Sequence, residues 1–127
     1  MTRASAALAR LPITRPLQII ELLVLAVLSE GPSHGYGLVR ALTERVDGHL
    51  KIRPGNIYRI LDRLTDAALL RECESPGAAR GAERTRGFAI TSAGRQRLQS
   101  ETRFRARALA QTPEARAAIV DGLGTEP

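Results

Sequence analysis

The stretch RPGNIYRILDRL, at residues 53–64, decides the fold of this chain. Pro54 suits the first turn of a helix, which we expect to continue to about Ala68. The apolar side chains along it recur at helical spacing; they are Ile57, Ile60, Leu61, Leu64 and Ala68. The stretch therefore predicts an amphipathic helix that buries one face in a core.

The opposite face of this helix is polar, and its first half is basic. Arginine forks match guanine edges or phosphates, an asparagine amide can read adenine, and a tyrosine hydroxyl can donate to phosphate. The residues that we predict to contact DNA from this helix and its start are Arg53, Gly55, Asn56, Tyr58, Arg59 and Arg63. An ordinary solvated face is the alternative, because two arginines in one helix are unremarkable in so arginine-rich a chain.

Two further helices precede this one. An apolar run predicts a first helix over about residues 17–30, which Gly31 and Pro32 end. Ser33 is expected to cap a second helix that runs to about Val46, before a turn at residues 47–48. The glycines near the start of the second helix are expected to permit close approach of another backbone.

A β-hairpin and two helices are predicted to follow. Two short strands, at about residues 69–74 and 84–90, flank a loop rich in Gly and Pro. Thr91 or Ser92 would cap a fourth helix to about residue 111, and a short last helix follows Pro113. Three helices and then a hairpin describe a winged helix-turn-helix, mainly α, whose third helix enters the major groove. The predicted division is an N-terminal arm at 1–16, a DNA-binding domain at 17–91 and a C-terminal helical segment at 92–127.

The positive charge is concentrated after the third helix. The chain has a net charge of +6, and residues 80–107 hold eight arginines and two acids. Arg80, Arg84 and Arg86 lie on the hairpin, where a wing would contact the minor groove or the DNA backbone. For the arginines of the fourth helix, a solvated face is an equal alternative. His34 and Tyr36 could contact phosphate near helix-terminal N–H groups, or they could have a packing role.

Several classes of protein are excluded by composition. A single cysteine, Cys73, rules out an intramolecular disulfide framework and fits a reducing cytosol. The two histidines, His34 and His49, lack metal-ligand spacing, so we expect neither a metal nor another cofactor. The longest apolar stretch, residues 17–28, is too short to cross a membrane and has no signal-peptide cleavage site. A cytoplasmic protein is expected.

The segment GPSHG at residues 31–35 matches the G-x-S-x-G motif of hydrolases. However, a catalytic triad needs a distant histidine and an acid, and the downstream candidates that we identify are His49 and Asp47. No parallel sheet can be assembled from the predicted elements. We therefore interpret Ser33 as a helix cap and expect no enzymatic activity.

Three segments together resemble the PadR-like family of bacterial transcriptional regulators. They are LAVL…GPSHGYGL at residues 25–38, RPGNIYRILDRL at 53–64 and FAITSAGR at 88–95, and the resemblance covers about residues 17–98. The chain differs from the family at three positions. Arg53 stands where a small capping residue is common, Ala68 where Gly is usual, and Phe88 where Tyr is usual.

The resemblance implies a regulator, mostly a repressor, that binds an inverted repeat of double-stranded DNA as a homodimer. Some members respond to phenolic acids or drug-like compounds, but the sequence identifies no small-molecule effector. The scarcity of aromatic residues also suggests that part of the core comes from a partner. The residues expected at the dimer contact are Leu98, Leu109, Ile119 and Val120. A winged-helix module that binds another protein instead of DNA is the alternative function.

Overall fold

The computed structural model describes residues 9–74 and 86–124. Within them the elements are α1 (Ile19–Leu28), β1 (Ser33–His34), α2 (Gly35–Val46), α3 (Pro54–Asp66), β2 (Leu70–Glu74), β3 (Arg86–Ile90), α4 (Ser92–Leu109) and α5 (Pro113–Gly124). The predicted order of three helices, a hairpin and a helix is confirmed, as is the mainly helical fold class. No helix in the described ranges has the length and apolar character needed to cross a membrane.

The core lies between the first three helices and the sheet. Four of the five predicted apolar residues of α3 are at most 1% exposed, namely Ile57, Ile60, Leu61 and Leu64, whereas Ala68 lies beyond the helix and is only half-buried. Leu25, Leu42 and Phe88 complete the centre of this cluster with no exposed surface. The helical periodicity of the sequence thus gave the correct buried face.

The sheet contains one more strand than the predicted hairpin. Its three antiparallel strands are ordered β1-β3-β2, with Ser33 opposite Phe88 and Leu70 opposite Ile90. Ser33 therefore lies in β1, and the expectation that it caps α2 is wrong. The cap is His34, whose Nδ1 accepts a hydrogen bond from the Gly37 N–H at 2.9 Å. A strand of two residues has no periodicity to detect, and it forms because β3 offers it a partner.

Helix α3 ends in a Schellman motif. The N–H of Ala68 donates to the Thr65 carbonyl at 2.9 Å, and that of Leu69 donates to the Leu64 carbonyl at 2.9 Å. This geometry requires a left-handed residue, and Ala68 has φ of 64°. The resembled family usually has Gly there, so Ala68 carries backbone strain that Gly would avoid.

The start of α4 is packed directly against the backbone that follows α3. Of the two predicted caps, Thr91 is the N-cap, and its hydroxyl accepts from the Gly94 N–H at 3.0 Å. The same hydroxyl donates to the Ala68 carbonyl at 2.7 Å. A Cβ on Gly94 would overlap the Leu69 carbonyl oxygen and lie 2.7 Å from the Ile90 side chain. Only glycine allows the two segments to approach this closely.

Candidate nucleic-acid interface

The two helices of the helix-turn-helix meet where Tyr58 of α3 crosses the start of α2. A Cβ on Gly35 would lie 2.5 Å from ring carbons of Tyr58, so Gly35 provides the space for the ring. The sequence analysis expected another backbone at this place, but the neighbour is a side chain. Tyr58 remains 37% exposed, so part of this side chain is accessible to solvent.

The N-terminal half of α3 presents polar side chains to solvent. Arg53, Gly55, Asn56 and Arg59 are all exposed. Among the residues that the structure describes, no side-chain hydrogen bond or ion pair involves Arg53, Asn56 or Arg59. Within the described ranges, these groups could therefore bind a ligand without breaking a side-chain hydrogen bond or ion pair.

Arg63 lies one turn further along α3 and has a different environment. Its Nε donates to Oε2 of Glu21 at 3.1 Å, and Glu21 is completely buried. Arg15 binds the same carboxylate with both terminal nitrogens, each at 2.8 Å. The structure therefore does not bring Arg63 together with Arg59; its guanidinium is directed to the carboxylate of α1.

The Glu21 carboxylate is strongly stabilised in its charged form. Burial raises its pKa, but hydrogen bonds from Arg15, from the Gln18 N–H and from Arg63 outweigh burial and lower the pKa to about 2. The Gln18 N–H donates at 2.7 Å, and this contact also closes a capping box at the start of α1.

The hairpin arginines are described only in part. Arg80 and Arg84 lie outside the described residues. Arg86, in β3, forms ion pairs with Glu72 at 2.6 Å and with Asp62 at 3.0 Å, and its guanidinium stacks 5.1 Å from the centre of the Phe88 ring. Both carboxylates are more than half exposed, so this cluster ties the two paired strands β2 and β3 to α3 on the protein surface.

A shallow hollow of about 310 Å³ lies beside the start of α2. His34 and Tyr36 border it with nearly parallel rings, whose centres are 6.4 Å apart. Tyr36 is 64% exposed, while one ring nitrogen of His34 is engaged in the helix cap. Arg40 also lines the hollow and is exposed. Sequence reasoning missed Arg40, although its position four residues after Tyr36 places the two on one helix face.

Two arginines of α4 form ion pairs within the fold of the chain. Arg97 and Arg105 bind the buried carboxylate of Glu101 at 2.9 Å and 3.1 Å. Burial raises the pKa of Glu101, but hydrogen bonds from Arg97 and from the Leu17 N–H and the charge of Arg105 lower it below its usual value. Arg97 also donates to the carbonyls of Ile13 at 2.9 Å and Arg15 at 2.7 Å. The sequence left two alternatives open for the arginines of α4, a DNA contact or a solvated face. Neither describes Arg97 and Arg105, because both bind Glu101.

The four residues predicted for a dimer contact differ in exposure. Leu98 packs against the core of its own chain, and Ile119 is half-buried. Leu109 is 53% exposed and Val120 is 63% exposed. Phe104, which the sequence analysis did not select, is 66% exposed on α4.

Comparison with known proteins gives a consistent family match. The model of the transcriptional regulator PadR-like family matches residues 24–100. An uncharacterized 37.1 kDa protein in transposon TN4556 of Streptomyces fradiae is 40% identical over 87 residues, which are 68% of this chain and 23% of that protein. Transcriptional regulator YqjI of Escherichia coli K12 is 31% identical over 112 residues, 79% of this chain and 51% of YqjI. The chain thus spans from about a quarter to about half of these relatives.

Among solved structures, Bacillus subtilis PadR in complex with operator DNA has a similar fold. The TM-score is 0.57 with 20% sequence identity, and the match covers 65% of this chain and 46% of that one.

Proposed function

The chain belongs to the PadR-like family of transcriptional regulators, and on that premise we propose that it is a repressor that binds an inverted repeat of duplex DNA as a homodimer. The observation that carries the proposal is the exposed start of α3, where Arg59 and Asn56 have no side-chain partner among the described residues. Bacillus subtilis PadR, which shares the fold, has been seen with operator DNA.

In the proposed complex, α3 lies in the major groove. Arg59 would donate two hydrogen bonds to a guanine edge, and Asn56 would bind adenine. Gly55 would let the backbone approach the bases closely, while Arg53 and the Tyr58 hydroxyl would bind phosphate. The exposure of Arg53, Asn56 and Arg59 supports this assignment, and Tyr58 is 37% exposed although its ring packs on Gly35.

The remaining predicted contacts serve position and affinity. His34 and Tyr36 border the hollow at the start of α2, which in a helix-turn-helix crosses the backbone, and Arg40 adds a cation there. Arg80 and Arg84 are proposed to contact the flanks of the site from the hairpin. Arg86 is paired with Glu72 and Asp62, so we assign it to the contact between the hairpin and α3.

The proposed dimer uses the C-terminal segment, 92–127. The exposed apolar side chains of Leu109 and Val120, together with Phe104, support a contact on α4 and α5. Ile119 is proposed beside them, whereas Leu98 already packs within its own chain. A two-fold dimer places its two half-sites roughly 10 bp, one turn of DNA, apart.

We propose that the protein is cytoplasmic and has no catalytic role. The hydroxyl of Ser33, the candidate nucleophile of the GPSHG segment, donates to the adjacent His34 carbonyl at 3.0 Å. His34 itself is engaged by the Gly37 N–H. Both groups therefore have local structural partners.

Selection of bound fragments from host genomic DNA tests the proposal. We expect enrichment of one inverted repeat, protection of both half-sites in footprinting, and a dimer in sedimentation at micromolar concentration. Lower transcription from the bound promoter would establish repression. A monomer that enriches no sequence would contradict the proposal and would favour the protein-interaction module.

A further inference from the structure

The N-terminal arm and α3 meet at one buried carboxylate. Glu21 has no exposed surface, and it accepts four hydrogen bonds, two from Arg15, one from the Gln18 N–H and one from Arg63. Arg15 precedes α1 and Arg63 belongs to α3, so three parts of the chain converge there. We call the side chains of Arg15, Glu21 and Arg63 the Glu21 node.

The two arginines of the node are not equivalent. Arg15 binds both oxygens of Glu21 at 2.8 Å, in the parallel geometry that only a guanidinium fork provides. Arg63 uses Nε alone and contacts one oxygen at 3.1 Å. A lysine ammonium could replace the single contact of Arg63 but not the forked contact of Arg15.

The arm cannot easily move away from the node, because α4 holds it. Arg97 donates to the carbonyls of Ile13 at 2.9 Å and Arg15 at 2.7 Å. The Leu17 N–H donates to Glu101 at 3.1 Å, and Arg105 donates to the Leu17 carbonyl. These contacts span more than 80 residues of sequence and hold the backbone on both sides of Arg15 to α4.

We infer that Arg63 is a positioning residue and that the Glu21 node, including Arg15 of the arm, sets how α3 presents Arg59 and Asn56 to DNA. Arg63 lies one helical turn after Arg59, so its attachment to α1 fixes the rotation of that turn. The inference rests on the proposed function. It gives the arm a part in DNA recognition that requires no contact between Arg15 and DNA.

The experiment measures the affinity of the full chain for two duplexes, the inverted repeat that the wild type selects and a random sequence of equal length, across a range of salt concentrations. We expect R15A and R63A each to weaken specific binding about 5- to 20-fold at protein concentrations and temperatures at which both remain folded. The slope of log affinity against log salt should stay at the wild-type value, because neither side chain neutralises a phosphate.

The double variant R15A/R63A should bind about as well as the weaker single variant, because both substitutions break one node. R63K should restore affinity and leave the selected sequence unchanged, whereas R15K should not restore affinity. R45A, which removes a surface arginine paired with Glu30, is the matched control and should bind as the wild type does.

The positioning role would be overturned, while the proposed function stands, by a salt slope reduced by about one in R63A or by a changed base preference in R63K. Additive losses in the double variant would also overturn it. If the wild type selects no DNA, the proposed function and the inference fail together. The node would then be a stabilising contact only, visible as coupled losses in the unfolding midpoints of the same variants.

Discussion

Two groups of arginines in this chain differ in what binds their guanidinium groups. The held group is bound to the buried carboxylates of Glu21 and Glu101 and consists of Arg15, Arg63, Arg97 and Arg105. The exposed group consists of Arg40 on α2, Arg59 on α3 and Arg53, the residue that precedes α3. The first group joins the arm to α1, α3 and α4, while the second faces solvent on the helix-turn-helix.

This difference has a physical cause. A carboxylate without solvent must be paired, and removal of one partner leaves an uncompensated charge. Exposed arginines have no such obligation and can exchange small counterions for phosphates. In a chain with a net charge of +6, the number of arginines therefore does not locate a binding surface. The positions of the buried acids show which arginines remain available.

The largest expected effect comes from E21Q, which removes the charge that binds Arg15 and Arg63. We expect the free energy of unfolding to fall by about 3 kcal/mol at neutral pH. The pKa of Glu21 is lowered from 4.5 to about 2 in the folded chain, so its stabilisation is complete above pH 4.5 and is lost as the pH falls towards 2. Denaturant titrations at several pH values should show the two proteins converge in acid. E30Q, at an exposed pair, is the control, and an equal loss in E30Q would break the distinction between the groups.

The next effect comes from R59A, which removes an exposed arginine of α3. We expect specific DNA binding to weaken by about 1–3 kcal/mol and base preference to relax, while stability changes by no more than about 0.5 kcal/mol. Binding isotherms with the selected repeat, set beside thermal unfolding curves, measure both. R107A, at an exposed position of α4, should change the base preference little. If R59A kept full sequence specificity, α3 would not be part of the recognition surface.

A smaller, opposite effect is expected from A68G, because Gly relieves the left-handed strain at the end of α3. The gain in unfolding free energy should be about 1 kcal/mol. DNA affinity should not change, since the substitution touches neither group of arginines. Chemical denaturation measures the gain. A loss of stability would mean that the entropy Gly adds to the unfolded chain exceeds the strain.

The smallest effect is expected from R45A, whose partner Glu30 is exposed. The unfolding midpoint should stay at the wild-type value in high salt, since solvent and ions screen such pairs. Thermal unfolding at two salt concentrations measures this. A large salt-dependent loss of stability would show that exposed ion pairs also stabilise this fold. Burial of the carboxylate would then not distinguish the stabilising pairs from the others.

Local signals predicted much of this fold, and long-range ones were missed. The apolar face of α3, the turn at residues 47–48 and the Thr91 cap depend on neighbours within a few residues, so the sequence revealed them. The inward direction of Arg63 depends on Glu21, 42 residues away. One signal was present, because a glutamate in the apolar run of α1 must find a cation when that helix is buried.

The close approach of Gly94 to the Leu69 carbonyl fixes the start of α4 relative to the segment that follows α3. Beyond Gly94, α4 continues to Leu109, a length of about 22 Å at 1.5 Å per residue. A tilt of about 10° at Gly94 would displace the far end by about 4 Å, more than the 3.4 Å between successive base pairs. In a dimer built on that end, a side chain at position 94 would change the distance between the two α3 helices. In the proposed homodimer, the spacing between the two half-sites would therefore depend in part on the absence of a side chain at position 94.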